Sequence, residues 1–164
     1  MLRSEPRIRF VCIGGGAGMT ALEQACRQRG LDSVQFRPYQ PRERLRQSLG
    51  LADVHLVILR PELEGLIVPS KVYGILAAGR PALFIGAKDG EIAQLLAAGQ
   101  AGRQVGVGEG ERLAAEIRSL AADPESCARL GHNARALFER CCSREQAFAA
   151  WHKMLEELRA EDTF

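Results

Sequence analysis

Residues 54–59, VHLVIL, followed at 62–81 by ELEGLIVPSKVYGILAAGRP and then by ALFI at 82–85, decide the fold. The first run is apolar almost throughout and short, which reads as a central strand buried on both faces. A loop from Arg60 to Pro69 follows it. Ser70 then stands where a hydroxyl can cap a helix, and that helix ends near Gly79. Pro81 to Ile85 is the next strand. Strand, helix, strand in this spacing is the unit of a parallel sheet.

The same alternation extends in both directions. Upstream, Ile8 to Ile13 (IRFVCI) reads as a strand ending in Gly14-Gly15-Gly16, and Met19 to Arg29 as a helix stopped by Gly30. Val34 to Phe36 is a short second strand before Arg37-Pro38-Tyr39-Gln40, and Pro41 opens a helix to about Leu49. Downstream, Asp89 begins a helix that stops at Gly99, and Gln104 to Val107 is a fifth strand. The rest is helical. Asp123-Pro124 opens one helix, and Ser143 with Gln146 forms a capping box for the last. Ala147, Phe148, Trp151, Leu155 and Leu158 recur there at helical spacing; the stripe either packs on its own domain, which is the expectation, or covers a separate N-terminal partner. The predicted class is α/β, a doubly wound, mainly parallel five-stranded Rossmann-like sheet with extra C-terminal helices. Residues 1–164 read as a single domain, without repeat or linker.

Bulk composition narrows the function classes. Hydrophobic residues are 46% and charged residues 26%, ordinary for a globular protein. A net charge of +2 is too mild to argue for nucleic acid, and Arg42, Arg44 and Arg46 read as a solvated helix face. The five cysteines form no C-x-x-C pair and suit no closed disulfide framework, so most read as small core residues in a reducing compartment. The three histidines, His55, His132 and His152, lie apart, and neither a metal nor a cofactor is expected. No run approaches the roughly 20 apolar residues of a membrane span, and the first residues lack a signal-peptide core. The expected location is cytoplasmic, with any attachment to the inner membrane made through a partner.

Two segments carry chemistry. Gly14, Gly15 and Gly16 sit between strand and helix, where bare amides and a helix start hold a phosphate, or where a tight turn simply needs glycine. A dinucleotide fingerprint would need glycine at Met19 and an acid in place of Arg37, so NAD is not the ligand. The second segment follows a buried strand, at the carboxyl edge where open α/β sheets bind ligands. Ser70 and Lys71 bring first-turn amides and a full positive charge to one helix start. That charge opposes the helix dipole unless an anion is bound. Glu64, just before, can accept hydrogen bonds from sugar hydroxyls.

This second stretch resembles the donor site of glycosyltransferase family 4, two-domain enzymes of GT-B fold. It is most similar to the bacterial polysaccharide subgroup with Pro-Ser-Lys-x-Tyr at the helix start, here Pro69-Ser70-Lys71-Val72-Tyr73, followed by Ala77-Ala78-Gly79-Arg80-Pro81. Ile13 to Gly16 and Val34 to Tyr39 also match the family's earlier strands. The resemblance implies that Glu64 contacts the donor sugar and that Ser70, Lys71 and Val72 face the diphosphate. Pro38 and Tyr39 would lie beside the base. The pattern departs at Gly74, where many members keep a second glutamate for the ribose.

By the same resemblance, an N-terminal acceptor domain and the first strand of the nucleotide domain are absent. Removing a central strand from the order 3-2-1-4-5-6 leaves 2-1-3-4-5 on renumbering; either the sheet closes up in that flavodoxin-like order, which is the expectation, or another chain supplies the lost strand. The leading expectation is the donor half of a retaining, UDP-sugar-using transferase of bacterial surface polysaccharide synthesis, inactive alone. Its partners would be the nucleotide-sugar and a separate acceptor-domain protein or a second copy. The alternatives are a non-enzymatic flavodoxin-like module binding a nucleotide or a protein, and a sugar-nucleotide epimerase fragment.

Overall fold

Ala82, Leu83, Phe84 and Ile85 are all buried, and the molecule is built around the strand that they form. The computed structural model describes residues 2–3 and 5–161. In chain order the elements are β1 (Phe10–Ile13), α1 (Met19–Gln28), β2 (Val34–Arg37), α2 (Leu45–Leu51), β3 (His55–Ile58), α3 (Lys71–Ala77), β4 (Ala82–Ile85), α4 (Glu91–Ala98) and β5 (Gly102–Val105). Three helices complete the chain: α5 (Gly110–Ala122), α6 (Pro124–Leu137) and α7 (Arg144–Glu161). The predicted alternation is present throughout, with boundaries moved by one to three residues. In the expected helix from Pro41, residues 42–44 instead form a 3-10 turn that leads into α2.

β4 lies between β3 and β5, parallel to both, with Ala82 opposite His55 on one side and Gly102 on the other. It is therefore β4, not the 54–59 run, that is central. β3 has a neighbour on one side only, and its alternate residues Leu56 and Ile58 are exposed. Helices α3, α4 and α6 supply the rest of the core through Val72, Ile75, Leu76, Ile92, Leu96, Ala134 and Leu137.

A single five-stranded sheet is not formed. β1 pairs in parallel with β2, Phe10 opposite Val34, in a two-stranded sheet of its own. No hydrogen bond joins β1 to β3, so the expected closure to 2-1-3-4-5 does not occur. The parallel α/β class holds, and what fails is the joining step. The β1–β2 unit is held in place by other ties. His55 Nε2 lies 2.8 Å from the Leu49 carbonyl, and Arg80 donates to the Gly50 carbonyl at 2.5 Å, so α2 is bound to the larger sheet. Arg118 of α5 pairs with Glu5, just before β1, at 3.3 Å.

The carboxyl-terminal helices start where their sequences say. The Asp123 side chain accepts the Ser126 amide at 2.9 Å, with Pro124 at the first position of α6. Ser143 Oγ accepts the Gln146 amide at 3.3 Å, one of the two bonds of a capping box. The apolar stripe of α7 does not pack at home, however. Phe148, Trp151, Leu155 and Leu158 are exposed, Trp151 at 61%. The core of β3–β4–β5 is completed by residues of α3, α4 and α6, and these four side chains are not among it.

Helix α6 crosses α3 at two glycines. A Cβ on Gly131 would stand 2.5 Å from the Gly79 carbonyl oxygen, well inside contact distance. Gly131→Ala is thus expected to cost about 1–3 kcal/mol through overpacking. Chemical denaturation reads this directly, and an unchanged midpoint would mean that the two helices are free to separate.

Candidate functional site

The carboxyl ends of β1 and β2 meet through Tyr39. Its ring lies flat on the glycine turn, so that a Cβ on Gly14 or on Gly15 would approach the ring to 3.2 Å. Its hydroxyl donates to the Gly15 carbonyl at 3.1 Å. Gly14 has φ +115 and Gly16 φ +150, regions that side chains other than glycine's rarely adopt. Gly14, Gly15, Gly16, Pro38 and Tyr39 thus form one unit, with the Tyr39 ring largely exposed. The sequence pattern suggested these residues separately; the tyrosine–glycine stack joins them.

The carboxyl end of β3 carries the second group. After Ile58 the chain passes through a short 3-10 turn at Pro61–Leu63 and brings Glu64 inward. Its carboxylate fills the space beside Gly90, the residue preceding α4. A Cβ there would lie 2.6 Å from Glu64 Cδ. Glu64 Oε1 is buried and has no hydrogen-bond partner. A buried acceptor without a donor is costly, which sets this carboxylate apart from the other described side chains.

The start of α3 differs from expectation in detail. Ser70 adopts helical dihedrals (φ −54, ψ −19) and makes no side-chain cap bond. The Val72 amide turns back to the Pro69 carbonyl at 3.0 Å and the Tyr73 amide to the Ser70 carbonyl at 3.3 Å. With those amides engaged locally, a hydroxyl cap is not required. Lys71 is exposed, its ammonium free to reach solvent or an anion. The side chain of Val72 is fully buried and its amide is held by Pro69, so this residue packs into the core. Tyr73 is half-buried against the core. Its hydroxyl pKa is raised, first by burial and then by the nearby Glu91 and the Cys142 and Cys141 thiols. Tyr73 is therefore a packing residue. Gly74 faces Leu49, with a Cβ meeting Leu49 Cδ1 at 3.2 Å, so a side chain here would require the end of Leu49 to shift.

Gly90 was missed at the sequence level; the only signal was Lys88-Asp89-Gly90 as a turn before a helix. Among the cysteines only Cys26 is buried; Cys12, Cys127 and Cys142 are half-buried and Cys141 is exposed, all as free thiols. The expectation of core cysteines holds for one. Burial, and then the hydrogen bond with Cys141, pushes the Cys142 thiol up to about 11, which keeps it protonated and unreactive. Among the described residues no group of three or more His, Cys, Asp or Glu gathers around a common point, and no helix is long and apolar enough to cross a membrane.

Comparison with known proteins fits these two groups into a frame. The family model for glycosyl transferases group 1 matches residues 1–137. Over 94 residues the chain is 38% identical to the putative colanic acid biosynthesis glycosyl transferase WcaI of Escherichia coli K12, covering 57% of this chain and 23% of that protein. Sucrose-phosphate synthase of Thermosynechococcus elongatus superposes with a TM-score of 0.76 at 21% identity, covering 93% of this chain and 39% of its own. Anabaena HepE, solved with UDP-glucose and with UDP, gives TM-scores of 0.72 and 0.71 at 21% and 19% identity, covering 94% of this chain and 42% of HepE. The chain spans less than half the length of each of these relatives. By the match over residues 1–137 and the GT-B-like, Rossmann-like fold beneath it, the chain belongs to the group 1 glycosyl transferases.

Proposed function

We propose that this chain is the donor-binding half of a retaining transferase that uses a UDP-sugar, and that it transfers nothing by itself. The observation that carries the reading is the orphaned, buried Oε1 of Glu64 at the carboxyl edge of the sheet. Sugar hydroxyls are donors of the right kind to satisfy it. Anabaena HepE, which shares the fold, was solved with UDP-glucose, in keeping with such a ligand.

The roles follow from position and charge. Tyr39, flat on the glycine turn, offers a face for the base. Lys71 supplies a mobile positive charge for the diphosphate. In transfer the bond from the anomeric carbon to the diphosphate oxygen breaks, negative charge gathers on the leaving phosphate, and the acceptor hydroxyl gives its proton to that phosphate as its oxygen bonds on the same sugar face. Lys71 stabilises that charge, while Glu64 holds the sugar hydroxyls and so the orientation of the ring. Acceptor binding falls to a second half. The likeness to WcaI, a putative colanic acid biosynthesis glycosyl transferase, is in keeping with a polysaccharide product.

Gly90→Ala separates sugar recognition from nucleotide recognition. The new methyl group takes the place of the Glu64 carboxylate without backbone strain, since Gly90 has φ −66. UDP should bind as before, and UDP-glucose should lose its added affinity and fall to the level of UDP. Equal UDP-glucose affinity in the variant and the parent protein would remove Glu64 from the sugar site. Tyr39→Ala should weaken both ligands together by about tenfold, the loss of one stacked ring. An unaltered UDP titration would exclude base stacking there.

A further inference from the structure

Phe138–Cys142, the segment that carries the chain from α6 into α7, is wound as a π-helix, a rare form that recurs at functional positions. Its last two residues are adjacent free thiols. Cys142 is half-buried and packs against the core, which fixes its side chain. Cys141 is exposed, and its thiol donates to the Leu137 carbonyl at 3.1 Å. The two sulfurs stand 3.6 Å apart. One thiol is thus held in place while its neighbour is open to solvent.

That separation decides which chemistry the pair can serve. A disulfide needs its sulfurs at about 2.0 Å and usually sets its Cα atoms about 4.4–6.8 Å apart. A peptide bond holds adjacent Cα atoms at about 3.8 Å, so closing the bond here would distort the turn. A soft cation asks for less. Placed about 2.3 Å from each sulfur, it completes a triangle on the 3.6 Å base with an angle of about 103° at the metal, close to tetrahedral. The high pKa of Cys142 slows its attack on an electrophile but does not oppose such an ion, because a coordinated thiol loses its proton outright.

We propose that Cys141 and Cys142 form a bidentate site for one divalent cation of the zinc class. Sulfur ligands select soft and borderline ions, whereas magnesium and calcium take oxygen. As the ion binds, each thiol releases its proton to water, and the two thiolates balance the charge of the ion. Among the described residues no third His, Cys, Asp or Glu joins the pair, so water completes the coordination shell. Structural zinc is closed off by four protein ligands; an ion held by two is exchangeable, and the fold does not depend on it. The site lies against α3 beside Tyr73, and the inference is independent of the nucleotide-sugar reading.

Cadmium takes the same ligands as zinc and gives a thiolate charge-transfer band in the ultraviolet, so it serves as the probe. The purified chain, reduced and stripped of metal by a chelator, is titrated with cadmium and the band is followed. The expected result is saturation at one ion per chain. Cys141→Ser and Cys142→Ser should each weaken binding by at least about tenfold, while Cys127→Ser leaves it unchanged. Zinc in excess should slow alkylation of Cys141 and Cys142 together, read by the mass of the peptide that carries both. If Cys142→Ser fails to fold, Cys141→Ser decides alone, since its side chain is exposed. No band, an affinity that Cys141→Ser leaves unchanged, or saturation at one ion per two chains overturns the proposal.

Discussion

Truncating Phe84 to alanine is expected to remove about 3–5 kcal/mol of folding stability. The ring is inaccessible to solvent at the centre of β4, packed among the side chains of α3, α4 and α6. A domain of this size has only about 5–15 kcal/mol in hand, so the variant should melt far below the parent protein or fold partially. The effect should reach the site as well. The Phe84 ring folds under the turn that follows β4, so closely that a Cβ on Gly86 would overlap it. That turn leads to Gly90, against which Glu64 is packed. Denaturant titration gives the stability, and UDP-glucose binding by the folded fraction gives the second effect. A loss below about 1 kcal/mol would mean that β4 is not the centre of the core.

Replacing Lys71 with alanine is expected to weaken UDP binding by about 10–100-fold, the range for a charge-assisted contact to phosphate. Lys71 is exposed, so its removal should leave the fold intact and act on the ligand. Its contribution should decline as salt rises, because an exposed charge is screened over about 10 Å at 0.1 M. Lys71→Arg should retain most of the affinity, since the charge remains at the same helix start. UDP affinity equal in the alanine variant and the parent, at low salt, would take the diphosphate away from α3.

The fold could be read in the sequence because apolar periodicity switched between strand and helix at each glycine or proline stop. Gly30, Gly79 and Gly99 end helices where they were expected to. What could not be read was which strand was central. VHLVIL at 54–59 and ALFI at 82–85 are equally apolar, and only pairing shows that β3 is an edge. Closure of the sheet failed for a related reason. Strand order argues that two edges could meet, but β1 pairs with β2 and β3 with β4 without a ladder between them. At the site, residue type pointed to Glu64 and Lys71, while orientation changed the standing of their neighbours. Val72 and Tyr73 share a motif with Lys71, yet their side chains turn into the core. Gly90 carried no chemical signature, because its part is to leave room for the Glu64 carboxylate.

The stripe on α7 shows the limit of periodicity. Phe148, Trp151, Leu155 and Leu158 follow helical spacing as faithfully as any core helix, and all four face solvent. Periodicity says that a face is apolar; it does not say which surface covers it.

The central claim is that a nucleotide-sugar site exists in this chain by itself. Calorimetric titration of the purified protein with UDP, GDP and UDP-glucose tests it most directly, with Glu64→Ala run in parallel. The account predicts that UDP binds in preference to GDP, that UDP-glucose binds more tightly than UDP, and that this added affinity is lost in Glu64→Ala. No heat of binding with any of the three would contradict it, and so would UDP-glucose binding that Glu64→Ala leaves unchanged.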